Sequence, residues 1–306
     1  MTLRVGLIGC GNWGRNILRD LLSLGAEVHV AAPTEASRAR ALALGAARAV
    51  STGAEIGAAI DGYVVATPSI THAAVVETLL ASGRPIFVEK PLTTNIAAAQ
   101  ALVAAAGERI FVMDKWRYHP GIEALAAIAK SGDLGEILAI RSYRLGWGNS
   151  HPDADAAWIL MPHDLSIVLE ILGHLPAARA AWTPTPGRAS SDIIAEFDDG
   201  GAPQVTIEVA TSHPVILRSV VVVGSRRSAQ LGGAHDDRIT IADGVPDRER
   251  GAPYEKTVTN EMPLLRELEA FLAHLRGGPP PRSSAGEALM IVERIAAARK
   301  MAGLND

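Results

Sequence analysis

Apolar residues recur along the chain in two rhythms. In the first third they form short unbroken runs, each followed by a stretch where they return every three or four residues. Val5–Ile8 is the first run. Trp13, Ile17, Leu18, Leu21 and Leu22 then share one face, with Gly25 just beyond it. A short continuous run predicts a buried strand, and the wider spacing predicts an amphipathic helix. The pattern repeats with strand Glu27–Ala31, helix Glu35–Leu44 and a short strand near Ala47–Val50. GYVVATPSITHAAVVETLLASG (62–83) adds a strand, a Thr67-Pro68 stop and a helix ended by Gly83. Pro85–Val88 predict a fifth strand and Arg109–Met113 a sixth. Between them Thr94 or Asn95 caps an alanine-rich helix. Such alternation predicts a doubly wound parallel sheet.

The rhythm changes near residue 118. Gly135–Leu145, Ile193–Phe197, Pro203–Ala210, Arg218–Gly224 and Arg238–Ile241 predict strands with few long helices among them. That is the pattern of a largely antiparallel sheet. Val205, Ile207 and Val209 alternate with Thr206 and Glu208, so one face is covered and the other wetter. Val220–Val223 do not alternate, and two valines must point to each side. Apolar stripes at Leu264, Leu268, Phe271 and Leu275, then at Leu289, Val292 and Ile295, predict two closing helices around GGPPP (277–281).

A chain of 306 residues suits about two domains. With 48% hydrophobic and 20% charged residues it can bury a sizeable core, which excludes disorder. The net charge is −4 and there is no basic run, which excludes nucleic acid as the main partner. No signal peptide or membrane span is read, so a soluble, cytoplasmic protein is expected. Cys10 is the sole cysteine and allows no disulfide within the chain, in keeping with a reducing compartment.

The chemistry enters at two strand ends. Gly9, Gly11 and Gly14 follow the first strand in G-x-G-x-x-G spacing and lead into a helix. Gly9 allows the tight turn, Gly11 lets backbone approach a pyrophosphate, and Gly14 lets helix and strand pack closely. The helix amino terminus then offers unpaired N–H groups to phosphate. Glu89-Lys90-Pro91 closes the fifth strand, at the sheet edge where ligands bind in open α/β folds. Lysine is sparse here (Lys90, Lys115, Lys130, Lys256, Lys300), and a desolvated lysine, unlike arginine, can trade protons near neutrality. Against this stands a plain strand-end ion pair made by Glu89.

GLIGCGNWG, ATPSITH, VEKPL, KWRYHP and PHDLSIVLEILG together resemble the glucose–fructose oxidoreductase/inositol dehydrogenase (Gfo/Idh/MocA) family of NAD(P)-dependent oxidoreductases, across essentially the whole chain. The resemblance implies an α/β fold in two parts. Residues 1–118 form a dinucleotide-binding Rossmann domain on the parallel sheet. Residues 119–306 form a substrate-binding and oligomerisation domain on a large, mostly antiparallel open sheet, and the last helices are able to pack back on the Rossmann domain. It further implies a homodimer or homotetramer, and Lys90 and His163 as the two positions that carry chemistry. Dinucleotide contacts are expected from Gly9, Gly11, Asn12, Trp13, Gly14, Ala32, Arg38, Thr67, Pro68, His72, Glu89 and Lys90. Substrate contacts are expected from Lys115, Arg117 and Tyr118.

The activity implied is NAD(P)-dependent oxidation of a secondary hydroxyl, or reduction of the ketone, of a sugar or nucleotide sugar. A UDP-N-acetylglucosamine 3-dehydrogenase is the nearest example in character. Such a reaction needs a base for the hydroxyl proton, while the coenzyme takes the hydride. His163, next to Pro162, begins or interrupts a helix through Leu172, and a helix amino terminus would keep its imidazole neutral. Lys90 could stabilise the alkoxide, or the two roles could be exchanged. His163 could instead be a structural histidine, His72 a loop-ordering one, and Arg117 an ion-pairing one with Trp116 and Tyr118 in the core. Asp153 and Asp155 read as solvated loop charges. No metal is expected, since histidines do not cluster and cysteine is lacking.

Two positions depart from the family pattern. Ile159 stands where many catalytic relatives carry an aspartate, and helical geometry turns Asp164 away from the His163 face. Ala32 stands where NAD-binding relatives often carry an acid for the ribose, leaving Glu35 or Arg38 to set the choice between NAD and NADP. A non-catalytic dinucleotide-binding sensor, and an imine or tetrapyrrole reductase, are the alternative readings.

Overall fold

The computed structural model describes residues 2–57, 59–148, 154–187, 192–244 and 251–304. The six apolar runs become parallel strands: β1 (Arg4–Ile8), β2 (Glu27–Ala31), β3 (Arg48–Val50), β4 (Gly62–Val65), β5 (Ile86–Glu89) and β6 (Ile110–Met113). Helices α1 (Gly14–Ser23), α2 (Glu35–Ala43), α3 (His72–Leu79) and α4 (Ile96–Ala106) alternate with them. The strand order is β3-β2-β1-β4-β5-β6, so the winding reverses between β1 and β4. Val5, Leu7, Val64, Val65, Phe87, Val88 and Ile110 have no exposed surface, and each contributes about 1.5–3 kcal/mol by leaving water. Of the two candidate caps for α4, Asn95 holds the position, its side chain accepting from the Ala98 N–H at 2.9 Å.

Chain contacts define two units. One comprises residues 1–115 and 264–292, the other 116–263 and 293–306. Helix α7 (Pro263–Leu275) thus completes the core of the first unit. Its Phe271 stacks on Phe87 with centroids 4.9 Å apart, and Leu264, Leu268 and Leu272 join Phe111 and Met113. Just beyond it, Ser283 accepts a hydrogen bond from the Val112 N–H at 2.9 Å.

The second unit is built on eight strands in the order β14-β13-β12-β11-β7-β10-β9-β8. They are β7 (Ile137–Trp147), β8 (Ala178–Trp182), β9 (Ile193–Phe197), β10 (Gln204–Ala210), β11 (Ser212–Gly224), β12 (Arg227–Leu231), β13 (Arg238–Asp243) and β14 (Tyr254–Thr257). Only the β7–β10 pair is parallel among the described pairs of this sheet. Helices α5 (Pro120–Lys130) and α6 (Ala156–Leu172) pack on it. Val220 and Val222 are buried, whereas Val221 and Val223 keep partial exposure on the opposite side. Helix α8 (Ala285–Met301) runs from the first unit into the second.

Helix α5 is one that the sequence reading did not name, and two expectations are corrected. Helix α6 starts at Ala156, so Pro162 lies inside it rather than in its first turn. Asp155 is its N-cap, accepting from the Trp158 N–H at 3.2 Å and paired with Arg299 of α8 at 2.9 Å, and so is not a solvated loop charge. Asp153 lies outside the described residues. Among the described residues no helix is long and apolar enough to cross a membrane.

Candidate coenzyme and catalytic site

The glycine loop turns sharply off β1. Gly9 sits at φ +96°, and a Cβ there would lie 2.6 Å from the Ala66 carbonyl oxygen. At Gly14 a Cβ would lie 2.4 Å from the Gly9 carbonyl oxygen, so the start of α1 approaches the loop as only glycine allows. A Cβ at Gly11 would meet no atom within 4 Å. The space beside Gly11 is therefore open, as a backbone cradle for a pyrophosphate requires. Asn12 is exposed and accepts from Arg15 at 2.7 Å.

Beyond β2, Ala32 is buried and its carbonyl accepts from Arg38 Nη1 at 2.9 Å; Pro33 accepts from the same nitrogen. Thr34 caps α2 through the Ser37 N–H at 3.2 Å, and Glu35 is exposed. Beyond β4, Thr67 Oγ1 accepts from Thr71 at 2.8 Å, and Pro68 is exposed. His72 is buried and spans two loops. Its Nε2 meets the Thr67 carbonyl at 2.9 Å and its Nδ1 the Pro91 carbonyl at 2.8 Å. That ring ties the loop after β4 to the turn carrying Lys90, which is the loop-ordering role.

Phe87 and Glu89 share one face of β5, the face that α7 covers. Glu89 is buried and accepts a hydrogen bond from the Trp13 indole N–H, and its second oxygen accepts from the Lys90 N–H at 3.2 Å. Lys115 Nζ lies 4.4 Å from the centre of the Trp13 ring. The corner therefore brings together Trp13, Glu89, Lys90 and Lys115, all read from the sequence. Burial raises the Glu89 pKa; the charge of Lys90, the Trp13 indole and Lys115 oppose it.

Sequence reasoning missed Glu267 of α7 and Asp114, which follows β6. Glu267 has no exposed surface, and neither of its carboxyl oxygens has a hydrogen-bond partner among the described residues. Its pKa is pushed well up, first by burial and next by the Glu89 carboxylate, with Lys115 opposing and Asp114 adding to the rise. The one sequence signal is its place inside the apolar stripe, three residues after Leu264 and four before Phe271, which does not by itself tell a buried carboxyl from a solvated neighbour.

In the second unit, Arg117 is buried and its Nε donates to Glu170 at 3.0 Å. Trp116 stacks on His119 at 4.9 Å and faces the Arg144 guanidinium at 4.5 Å, and Tyr118 is buried. His163 is half-buried in the eighth position of α6, its carbonyl accepting from Ser166 at 2.8 Å. It thus lies past the first turn, where the helix dipole acts, and the dipole argument for a neutral imidazole does not apply. Asp164 turns away, as helical geometry requires, and binds Arg144 (2.8 and 3.2 Å) and Ser142 (2.7 Å). Ile159, at the position of the family's aspartate, is buried. Among the described residues no group of three or more His, Cys, Asp or Glu is placed to hold a metal ion.

Residues 3–112 match the family described as an oxidoreductase family with an NAD-binding Rossmann fold. An inositol 2-dehydrogenase of Saccharopolyspora erythraea is 28% identical over 244 residues, 72% of this chain and 71% of that protein. The crystal structure of a provisionally named oxidoreductase from Magnetospirillum magnetotacticum MS-1 superposes with a TM-score of 0.85 at 28% identity, covering 97% of this chain and 99% of the other. A UDP-N-acetylglucosamine 3-dehydrogenase from Acidithiobacillus ferrooxidans shares the fold, with a TM-score of 0.84 at 22% identity over 99% and 98% of the two chains.

Proposed function

We propose that the chain is a member of the glucose–fructose oxidoreductase/inositol dehydrogenase family that oxidises a secondary hydroxyl of a sugar, polyol or nucleotide sugar, or reduces the matching ketone. The bound dinucleotide supplies the hydride acceptor. The open backbone at Gly11, where the loop turns into α1, holds its phosphates. The observation that carries the reading is the link from Trp13 of the glycine loop to Glu89, which places Lys90 beside the dinucleotide-binding loop. Lys90, as a cation, stabilises negative charge on the substrate oxygen, and His163 takes the hydroxyl proton. Inositol-oxidising relatives support a polyol or sugar; a nucleotide sugar rests on RSYRLGWG and the helix after it. Arg117 engages Glu170 and Lys115 lies over the Trp13 ring; an anionic substrate group would be met by one of these two cations.

The test is Lys90→Ala and His163→Ala, each assayed with a panel of polyols, sugars and nucleotide sugars. Turnover should fall about a hundredfold or more in each, with NADH affinity nearly intact. Near-normal turnover in both variants would sink the assignment. Tight NADH binding with no wild-type turnover on the panel would favour the sensor. We also read the partly exposed side of the eight-stranded sheet as the contact of a homodimer or dimer of dimers. The lone cysteine suits a cytoplasmic enzyme.

A further inference from the structure

Glu267 is the least explained side chain among the described residues. A fully buried carboxyl with no hydrogen-bond partner calls for a physical reason, because burying an ionised one is costly. Its position supplies one. Four residues back along α7 from Phe271 is about 6 Å, and two residues forward along β5 from Phe87 is about 6.6 Å. With α7 seated on β5 by the Phe87–Phe271 stack, these similar steps bring Glu267 near Glu89, whose charge acts on it. Two carboxyls facing each other in a dry setting cannot both ionise. The donors decide which one does: the Trp13 indole and the Lys90 N–H both serve Glu89, and neither serves Glu267.

We propose that Glu267 is a positioning residue, the neutral member of a buried carboxyl pair, which leaves Glu89 as the single carboxylate that anchors Trp13 of the glycine loop. The groups facing the Glu89–Glu267 pair are Lys90 from the end of β5, Asp114 and Lys115 from the end of β6, and Trp13 from the loop before α1. Burial and the Glu89 charge hold the Glu267 proton; Lys115 works against it. When Glu267 ionises at high pH, its charge repels Glu89 and loosens the Trp13 anchor. The inference rests on the dinucleotide-binding part of the proposed function and does not need Lys90 or His163 to be catalytic.

The experiment is a fluorescence titration with NADH in steps from about pH 6 to about pH 10 for the wild type, Glu267→Gln and Glu267→Met, each confirmed folded by thermal unfolding. Wild-type Kd should rise toward alkaline pH at least about threefold more steeply than in either variant, since neither can gain the second charge. A residue that only fills space would shift Tm and leave the three pH profiles parallel, and that result overturns the inference. Should Glu267→Gln fail to fold, the methionine variant gives the same comparison. Failure of the wild type to bind NADH at any pH would instead overturn the reading of the glycine loop.

Discussion

Asp164 receives two hydrogen bonds from Arg144 and one from Ser142, and its carboxylate has no exposed surface. Asp164→Ala would strand a guanidinium that is itself 4% exposed, at a cost of about 3–5 kcal/mol in denaturant unfolding. Asp164→Asn keeps one acceptor and should cost less. Glu267 sets a pH dependence of stability. Its folded pKa is raised, so from about pH 4.3 upward the unfolded chain loses this proton while the folded one keeps it. Its contribution to stability therefore falls as pH rises toward the folded value. Glu267→Gln should gain on the wild type across that window, as Tm measured against pH will show. At the end of β2, Ala32 puts no charge against a 2′-phosphate and Arg38 lies within reach of the same carbonyl. Discrimination between NADH and NADPH should be weak, and Ala32→Asp should move it toward NADH. Strong rejection of NADPH by the wild type would show that Glu35 has taken the acidic role.

At the scale of elements, Asp155 does two jobs. It caps α6 and it neutralises Arg299, with both side chains 10% exposed. Asp155→Ala should cost about 1–3 kcal/mol, from the lost cap together with the lost charge-assisted bond to Arg299, measured by urea unfolding. The same helix shows where sequence stops being legible. Pro162 reads as a first-turn residue because proline is favoured there, yet here it is buried in mid-helix. Helix α5 begins with His119 as its cap, its Nδ1 accepting from the Gly121 N–H at 3.1 Å, and histidine is not among the usual N-cap residues. Strand β14 is exposed along its whole length, so no apolar run announces it. Strands β1, β4, β5 and β6 were legible because each is an almost wholly apolar run buried on both faces, whereas β2 and β3, with partly exposed Glu27, His29 and Arg48, were legible mainly from their place in the alternation. Of the candidate site, the glycine loop and the Glu89–Lys90 corner were legible from spacing. Glu267 was not, because a charged residue in an apolar stripe reads as a solvated neighbour until the sheet beneath it is known.

On the whole-molecule scale, the side of the eight-stranded sheet opposite Val220 and Val222 carries Arg141, Tyr143, Thr206 and Glu208 beside Val221 and Val223. A face that mixes valine and tyrosine with charges of both signs suits a two-fold contact better than open solvent. Val221→Glu should shift the mass seen by light scattering at micromolar concentration toward the monomer. A wild type already monomeric there would rule the contact out. The return of α7 to the first unit has a different consequence, one of timing. Residues 1–115 leave the ribosome first, but the helix that roofs Phe87, Phe111 and Met113 is made about 150 residues later, some ten seconds or more at ordinary translation speed. Throughout that interval the nascent chain carries a sheet with Phe87, Phe111 and Met113 still unroofed, and a ribosome-bound chain stalled before residue 263 should recruit chaperones that one stalled after residue 292 does not.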